Sequence, residues 1–135
     1  MKKKFNEATP QRTTDHLLDA QLVPIDIPAF IEQLKQESTW KESDRNAITV
    51  FKTDGLRIVL IALHEGAEMA KHTANGHISV QVIEGKIKFT TDHKSIELNK
   101  GQMLALHERI PHSVLAMEET IFLLTLTVTL EDKKK

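Results

Sequence analysis

Alternating apolar and polar residues dominate the chain from Asn46 onward. The clearest case runs from Phe122 to Leu130, where apolar side chains at every second position alternate mainly with threonines, and this period of two predicts a half-buried strand. Residues 56–63 are apolar except for Arg57, which is typical of a strand covered on both faces. Shorter strand-like runs lie at 47–51, 78–82, 87–90, 96–98, 102–107 and 114–117. Many short strands separated by turns predict an all-β sandwich or barrel.

A helical pattern precedes these strands. Phe30, Ile31 and Leu34 recur at helical spacing, and Pro28 suits a first turn because its missing N–H costs nothing there. We therefore predict a short amphipathic helix over 28–37 that packs on one face or edge of the strands. Because strand 56–63 is apolar on both faces, the outer face of its sheet should be covered as well, either by the N-terminal segment or by a second subunit. A homodimer is therefore expected.

Length and composition narrow the classes of function. At 135 residues the chain is sized for one domain, and it contains no cysteine, which excludes disulfides, thiolate metal sites and cysteine nucleophiles. No apolar run reaches the ~18 residues of a membrane helix, and no apolar segment follows the initial MKKKF as in a secretion signal. We expect a cytoplasmic protein with no membrane partner.

The charge is unevenly distributed. The formal net charge is −1, but six lysines lie within residues 1–4 and 131–135, and the remainder holds 12 cationic and 17 anionic residues. An acidic body repels a polyanion, so no nucleic-acid partner is expected. The predicted organisation is a leader with a short helix packing on the barrel at 1–45, a barrel at 46–130 and a basic tail at 131–135.

The seven histidines include two whose spacing matches a known pattern. One segment runs from Gly66 through His72, Ala74 and Ile78 to Gly85, and a second from Gly101 through His107 and His112 to Ala116. Together with the short sequences Val82-Ile83-Glu84-Gly85 and Ile110-Pro111-His112, these segments resemble the two motifs of the cupin superfamily. The resemblance covers about residues 46–130. The resemblance implies a small single-domain cupin of the conserved-barrel, RmlC-like type. Its fold would be all-β, a cupin double-stranded β-helix (jelly-roll barrel) with a short N-terminal helix.

The metal motif of the cupins is degenerate here. In metal-binding relatives two histidines and a glutamate of the first segment join the histidine of the second, whereas here Ala74 and Ile78 replace two of the four ligands. His72 and His112 remain, and His77 is the candidate for a third ligand if the bend at Asn75-Gly76 re-aims it from its expected outward direction. One divalent ion (Zn, Fe, Mn or Ni) is the cofactor that such a set would hold.

The other histidines are not nominated. His64 and His107 lie near strand ends and are interpreted as structural or rim residues, while His16 and His93 are interpreted as surface residues. Two imidazoles in one apolar barrel mouth need a ligand, water or metal as a partner. We therefore take the mouth as the functional site, with His72, His112, Ile78 and Ala74 as the residues predicted to bind a ligand.

Three functions compete, and the sequence leaves open whether the protein is an enzyme. The first is binding of a small molecule in the barrel mouth. The second is a metal-dependent dioxygenase or isomerase that uses His72, His112 and His77. The third, a sugar-nucleotide epimerase, needs a histidine–aspartate pair and an arginine cluster, and the chain has four arginines and no such pair at matching places. The first is favoured because half of the metal ligands are missing.

Overall fold

The alternating segments fold into two antiparallel sheets that face one another. The computed structural model describes residues 18–128, within which there are nine strands. Sheet A has the order β1-β2-β9-β4-β7 and sheet B the order β3-β8-β5-β6. The strands are β1 (Arg45–Lys52), β2 (Leu56–Leu63), β3 (Glu68–His72), β4 (Ile78–Glu84), β5 (Lys86–Thr91), β6 (Ser95–Asn99), β7 (Met103–Leu106), β8 (His112–Ala116) and β9 (Thr120–Thr127). The predicted all-β jelly roll with a short helix is confirmed.

The inner core lies between the two sheets and is built from every second side chain. On β4 the buried residues are Ile78, Val80 and Val82, as the alternation predicts. Phe122 from β9 and Phe89 from β5 meet them from the two sheets. The core is therefore continuous across the sandwich, and its apolar side chains fix which face of each strand points inward.

A second core covers the outer face of sheet A. Helix α1 (Ile27–Gln36) begins at the N-cap Asp26, whose side chain accepts a hydrogen bond from the Ala29 N–H at 3.1 Å. Its Leu34 is fully buried among side chains of β1, β2 and β9, together with Trp40 from a second short helix, α2 (Ser38–Glu42). The helix predicted over 28–37 is confirmed with its bounds shifted by one residue.

This cover answers a question that the sequence left open. The apolar strand β2 has its outer face under α1 and Trp40, so the N-terminal segment supplies the cover rather than a second subunit. The homodimer no longer follows from that face, and it stays a prediction. Within residues 18–128, no helix has the length and apolar character needed to cross a membrane. The leader before Leu18 and the tail beyond Val128 lie outside the described residues.

Two elements were not predicted. Four of the five side chains of β3 are exposed, and its ladder with β8 is irregular between Met69 and His72, so the segment lacks the alternation that marks a strand. Helix α2 is five residues long in a polar segment, too short for a helical pattern to repeat. Both elements owe their structure to what they pack against.

Asn46 links the helical layer to sheet A. Its side chain is buried, and its amide donates to the Leu34 carbonyl at 3.0 Å and to the Glu37 carboxylate at 2.9 Å. Its side-chain carbonyl accepts from the Ala47 N–H at 2.9 Å. All these bonds involve groups at the end of α1 or the start of β1, so one side chain fixes where the helix ends over the sheet.

We expect Asn46→Ala to lower the free energy of unfolding by about 1–3 kcal/mol, because it leaves buried polar groups without partners. Urea denaturation of the full chain measures the change. The matched control is Asn99→Ala, at an exposed position on β6, for which a change within about 0.5 kcal/mol is expected. Equal effects of the two substitutions would contradict the role assigned to Asn46.

Candidate functional site

The two histidines matched from the sequence meet across neighbouring strands. His72 at the end of β3 is the pairing partner of His112 at the start of β8. Their ring centroids are 4.4 Å apart and the rings are tilted by 59°. His112 is buried, with 4% of its surface exposed, whereas His72 is exposed. One imidazole therefore lies inside the jelly roll and the other at its opening, which we call the mouth.

Hydrogen bonds to backbone carbonyl oxygens determine which nitrogen of each ring carries the proton. The Nδ1 atom of His112 lies 2.9 Å from the Ile110 carbonyl oxygen, and the Nδ1 atom of His72 lies 2.7 Å from that of Ala70. A carbonyl oxygen only accepts, so each Nδ1 is the protonated donor. In the neutral rings the lone pair is then on Nε2, which can accept a hydrogen bond from a ligand.

A cavity of about 230 Å³ lies next to Phe89, the residue that stacks on His112. It is bounded by sheet B on one side and by the edge strand β7 of sheet A on the other. Phe89, in its wall, stacks on His112 with ring centroids 5.3 Å apart and an angle of 11°, and Thr91 is the cross-strand partner of His112. The lining residues are Phe89, Thr91, Lys94, Ile96, Leu104, Ala105 and Leu106. The residues around the cavity are thus mainly apolar, and Thr91 and Lys94 are the polar ones.

The surroundings of His112 favour its neutral form. Burial lowers the pKa of His112, and positive charge on nearby His72 lowers it further, while the hydrogen bond to the Ile110 carbonyl acts in the opposite direction. The inner imidazole is therefore kept neutral below the pH at which an exposed histidine becomes charged. A neutral ring against Phe89 leaves the cavity wall without a buried positive charge.

Solved structures of other proteins share this architecture. A scan against protein-family models and a comparison with curated proteins found no match. A cupin superfamily protein from Desulfitobacterium hafniense superposes over 94% of this chain and 100% of its own, with a TM-score of 0.66 and 13% identity. An RmlC-like cupin from Desulfovibrio desulfuricans is 26% identical over 62% of this chain and 81% of its own, with a TM-score of 0.57. The chain is a cupin.

A larger structure extends the likeness. Salicylate 1,2-dioxygenase from Pseudoaminobacter salicylatoxidans, determined as adducts with gentisate, superposes over 87% of this chain with a TM-score of 0.69 and 19% identity. This cupin spans 37% of the length of the dioxygenase chain. At that identity the likeness shows a shared fold.

The metal set of the family does not fit the residues present. Of the four motif positions, Ala74 and Ile78 offer no lone pair, and both pack with the inner core. The two imidazoles that remain, His72 and His112, have no carboxylate beside them at the motif positions. First-row metals usually take three or more protein ligands, so we derive no chemistry through a metal at this place. None of the four residues predicted to bind a ligand, His72, His112, Ile78 and Ala74, is among the residues that line the cavity.

His77 does not join His72 and His112. Among residues 18–128, the three-residue group whose ligand atoms all lie within 4.8 Å of one another is His77, His107 and Glu108. The bend at Asn75-Gly76 leaves His77 exposed on the outer face of sheet A, since the next residue of β4 points inward. The three-histidine set predicted from the sequence is thus not brought together.

His107 and Glu108 were missed at the sequence level. Nothing in the sequence shows which strands pair, and it is the β4–β7 register that places them beside His77. His64, in contrast, has the structural role expected of it. Its Nε2 lies 2.9 Å from the Trp40 carbonyl oxygen, and its ring stacks on the indole with centroids 3.5 Å apart.

The lowered pKa of His112 predicts a pH dependence of stability. Because the unfolded chain takes up a proton at this residue more readily than the folded one, the free energy of unfolding should decrease as the pH falls below the ordinary histidine value of 6.5. His112→Gln should reduce this slope, and His93→Gln, at an exposed turn residue, should preserve it. Urea denaturation at several pH values measures both, and an unchanged slope in His112→Gln would contradict the assignment.

Proposed function

We propose that this cupin binds a small organic acid with an apolar body in the cavity at its mouth. The observation that carries the proposal is the contact between the cavity wall and His112, since Phe89 both lines the cavity and stacks on that ring. Ligand sites in proteins are typically apolar concavities with a few convergent polar groups. The cavity has apolar walls, and the polar residues that support the proposal are Lys94 in its lining and His112 next to Phe89.

The walls indicate the kind of ligand. Ile96, Leu104 and Leu106 offer apolar contacts to a ring or short chain, and Lys94 is the charged residue of the lining. The carboxylate of Asp92 pairs with Lys71 at 2.6 Å, so this neighbouring anion is engaged elsewhere. An ionised carboxyl group on a ligand would suit the Lys94 ammonium while the rest of the ligand contacts the walls.

The turn between β5 and β6 holds Lys94 in place. The Thr91 N–H donates to the Lys94 carbonyl at 2.7 Å, and the Lys94 N–H donates to the Thr91 hydroxyl at 3.2 Å. The backbone of the lysine is therefore fixed to the strand that carries Phe89. This arrangement fixes the point from which the Lys94 side chain starts, beside the apolar wall.

Neither His72 nor His112 lines the cavity, but the contact of His112 with Phe89 places its ring next to the cavity wall. With each Nδ1 donating to a carbonyl, the Nε2 atoms of His72 and His112 can accept from a hydroxyl group. The dioxygenase that shares the fold carries gentisate, an aromatic acid with hydroxyl groups, and this supports the choice of ligand class without assigning that activity here. The metal-dependent alternative lacks two of its four ligands, so we favour binding.

The test uses benzoate, with the neutral benzamide as its isostere, and follows the methyl resonances of Ile96, Leu104 and Leu106 by NMR. Benzoate should shift these resonances at lower concentration than benzamide does. Lys94→Met should weaken benzoate binding about fivefold, the effect of losing an ion pair worth about 1 kcal/mol, and leave benzamide unchanged.

The matched control is Lys88→Met, which removes a lysine from an exposed position on the same strand β5. It should leave both affinities as in the unsubstituted protein. Benzoate that shifts no cavity methyl, or that binds equally well to Lys94→Met, would refute the proposed ligand class.

A further inference from the structure

Two histidines lie side by side on the outer face of sheet A, away from the mouth. Ile78 of β4 pairs with Leu106 of β7 in antiparallel register, so the residues just outside this pair, His77 and His107, continue the same register. Ile78 and Leu106 pack with the inner core, which turns the two histidines to the opposite side. Their ring centroids are 5.1 Å apart in an edge-to-face arrangement at 84°.

The backbone on both sides of this pair is held firmly. The His77 N–H donates to the Thr127 hydroxyl and the Thr127 N–H donates to the His77 carbonyl, both at 3.0 Å. Gly76 approaches β9 so closely that an added Cβ would lie 1.9 Å from the Thr127 carbonyl oxygen. The Arg109 N–H donates to the Ala74 carbonyl at 2.8 Å and so ties the second loop to the first. The histidines are thus positioned by the fold.

Glu108 completes the group with a carboxylate. Its Oε1 lies 3.5 Å from Nδ1 of His77, and its Oε2 lies 3.7 Å from the Arg109 guanidinium. The two oxygens therefore face different partners, and the arginine orients the carboxylate while Oε1 stays directed at the imidazole. Outer partners of this kind are typical of carboxylates that bind metals.

These distances suit a divalent metal. With Zn–N and Zn–O bonds of about 2.0–2.1 Å, adjacent ligands of a tetrahedral zinc ion are about 3.3 Å apart, close to the separation of His77 and Glu108. The ligand atoms of all three residues lie within 4.8 Å of one another, so small side-chain rotations bring them onto one ion. Two imidazoles and one glutamate are the three protein ligands of open zinc sites, whose fourth position holds water.

We propose that His77, His107 and Glu108 form a Zn²⁺ site on the outer face of sheet A, with a solvent molecule as the fourth ligand. The site shares no residue with the mouth, and it does not rest on the proposed function. The exposure of both histidines leaves the fourth position open to solvent. Such a site can bind an exogenous anion or a side chain of a partner at the metal.

The test titrates the untagged full chain with Zn²⁺ by calorimetry in a buffer that does not bind the metal. One ion per chain is expected, and His77→Ala, His107→Ala and Glu108→Gln should each weaken binding by at least about 100-fold, more than the loss of an outer partner of a ligand. Replacement by Co²⁺ should give the visible absorption of a tetrahedral site, which the three variants should lose.

Two matched variants serve as controls. His72→Ala removes the exposed mouth histidine, and His93→Ala removes an exposed histidine of the β5–β6 turn; both should bind Zn²⁺ as the unsubstituted protein does. Circular dichroism confirms that each variant is folded. A chain that binds no Zn²⁺, or one whose binding is lost in His72→Ala and kept in His77→Ala, would overturn the proposal.

Discussion

The position of β4 between β9 and β7 is the constraint on which both candidate sites depend. Ile78 pairs with Leu106 on one side and with Leu126 on the other, and all three side chains pack with the inner core. Because side chains alternate along a strand, this inward anchor turns His77 to the outer face. A shift of the β4 register by one residue would turn His77 inward and expose the apolar side chains that now face the core. The apolar residues of β4, β7 and β9 therefore keep the two histidine groups apart.

The mouth shows what remains when a metal motif loses half of its ligands. His72 and His112 still meet across β3 and β8, but both Nδ1 atoms are bound to carbonyl oxygens of their own segments. The buried ring is stacked on Phe89 and stays neutral. This pair is suited to accept hydrogen bonds beside an apolar cavity, which is a chemistry of binding and orientation. The outer group, by contrast, has the carboxylate that the mouth lacks.

Sheet A is packed along its inner face but only partly covered on its outer face. Its inner face packs against sheet B, and its outer face is covered in part by α1 and Trp40. Asn46 holds the two layers together through bonds to the end of α1. The helical layer covers β1, β2 and β9, whereas Met103 on the edge strand β7 is 56% exposed. The outer histidine group lies next to this strand and is open to solvent.

The sequence by itself determined the elements whose patterns are local. The periods of two and of 3.6 predicted most of the strands and helix α1, and motif spacing placed His72 and His112 together and showed that Ala74 and Ile78 offer no ligand. Only the tertiary structure decided which strands pair, and this pairing makes β3 a strand and places α1 over β2. It also places the cavity between Phe89 and Leu106 and brings His77 next to His107 and Glu108. Those features rest on contacts between residues far apart in the chain, and a local pattern of hydrophobicity carries no information about which distant segment will become its neighbour.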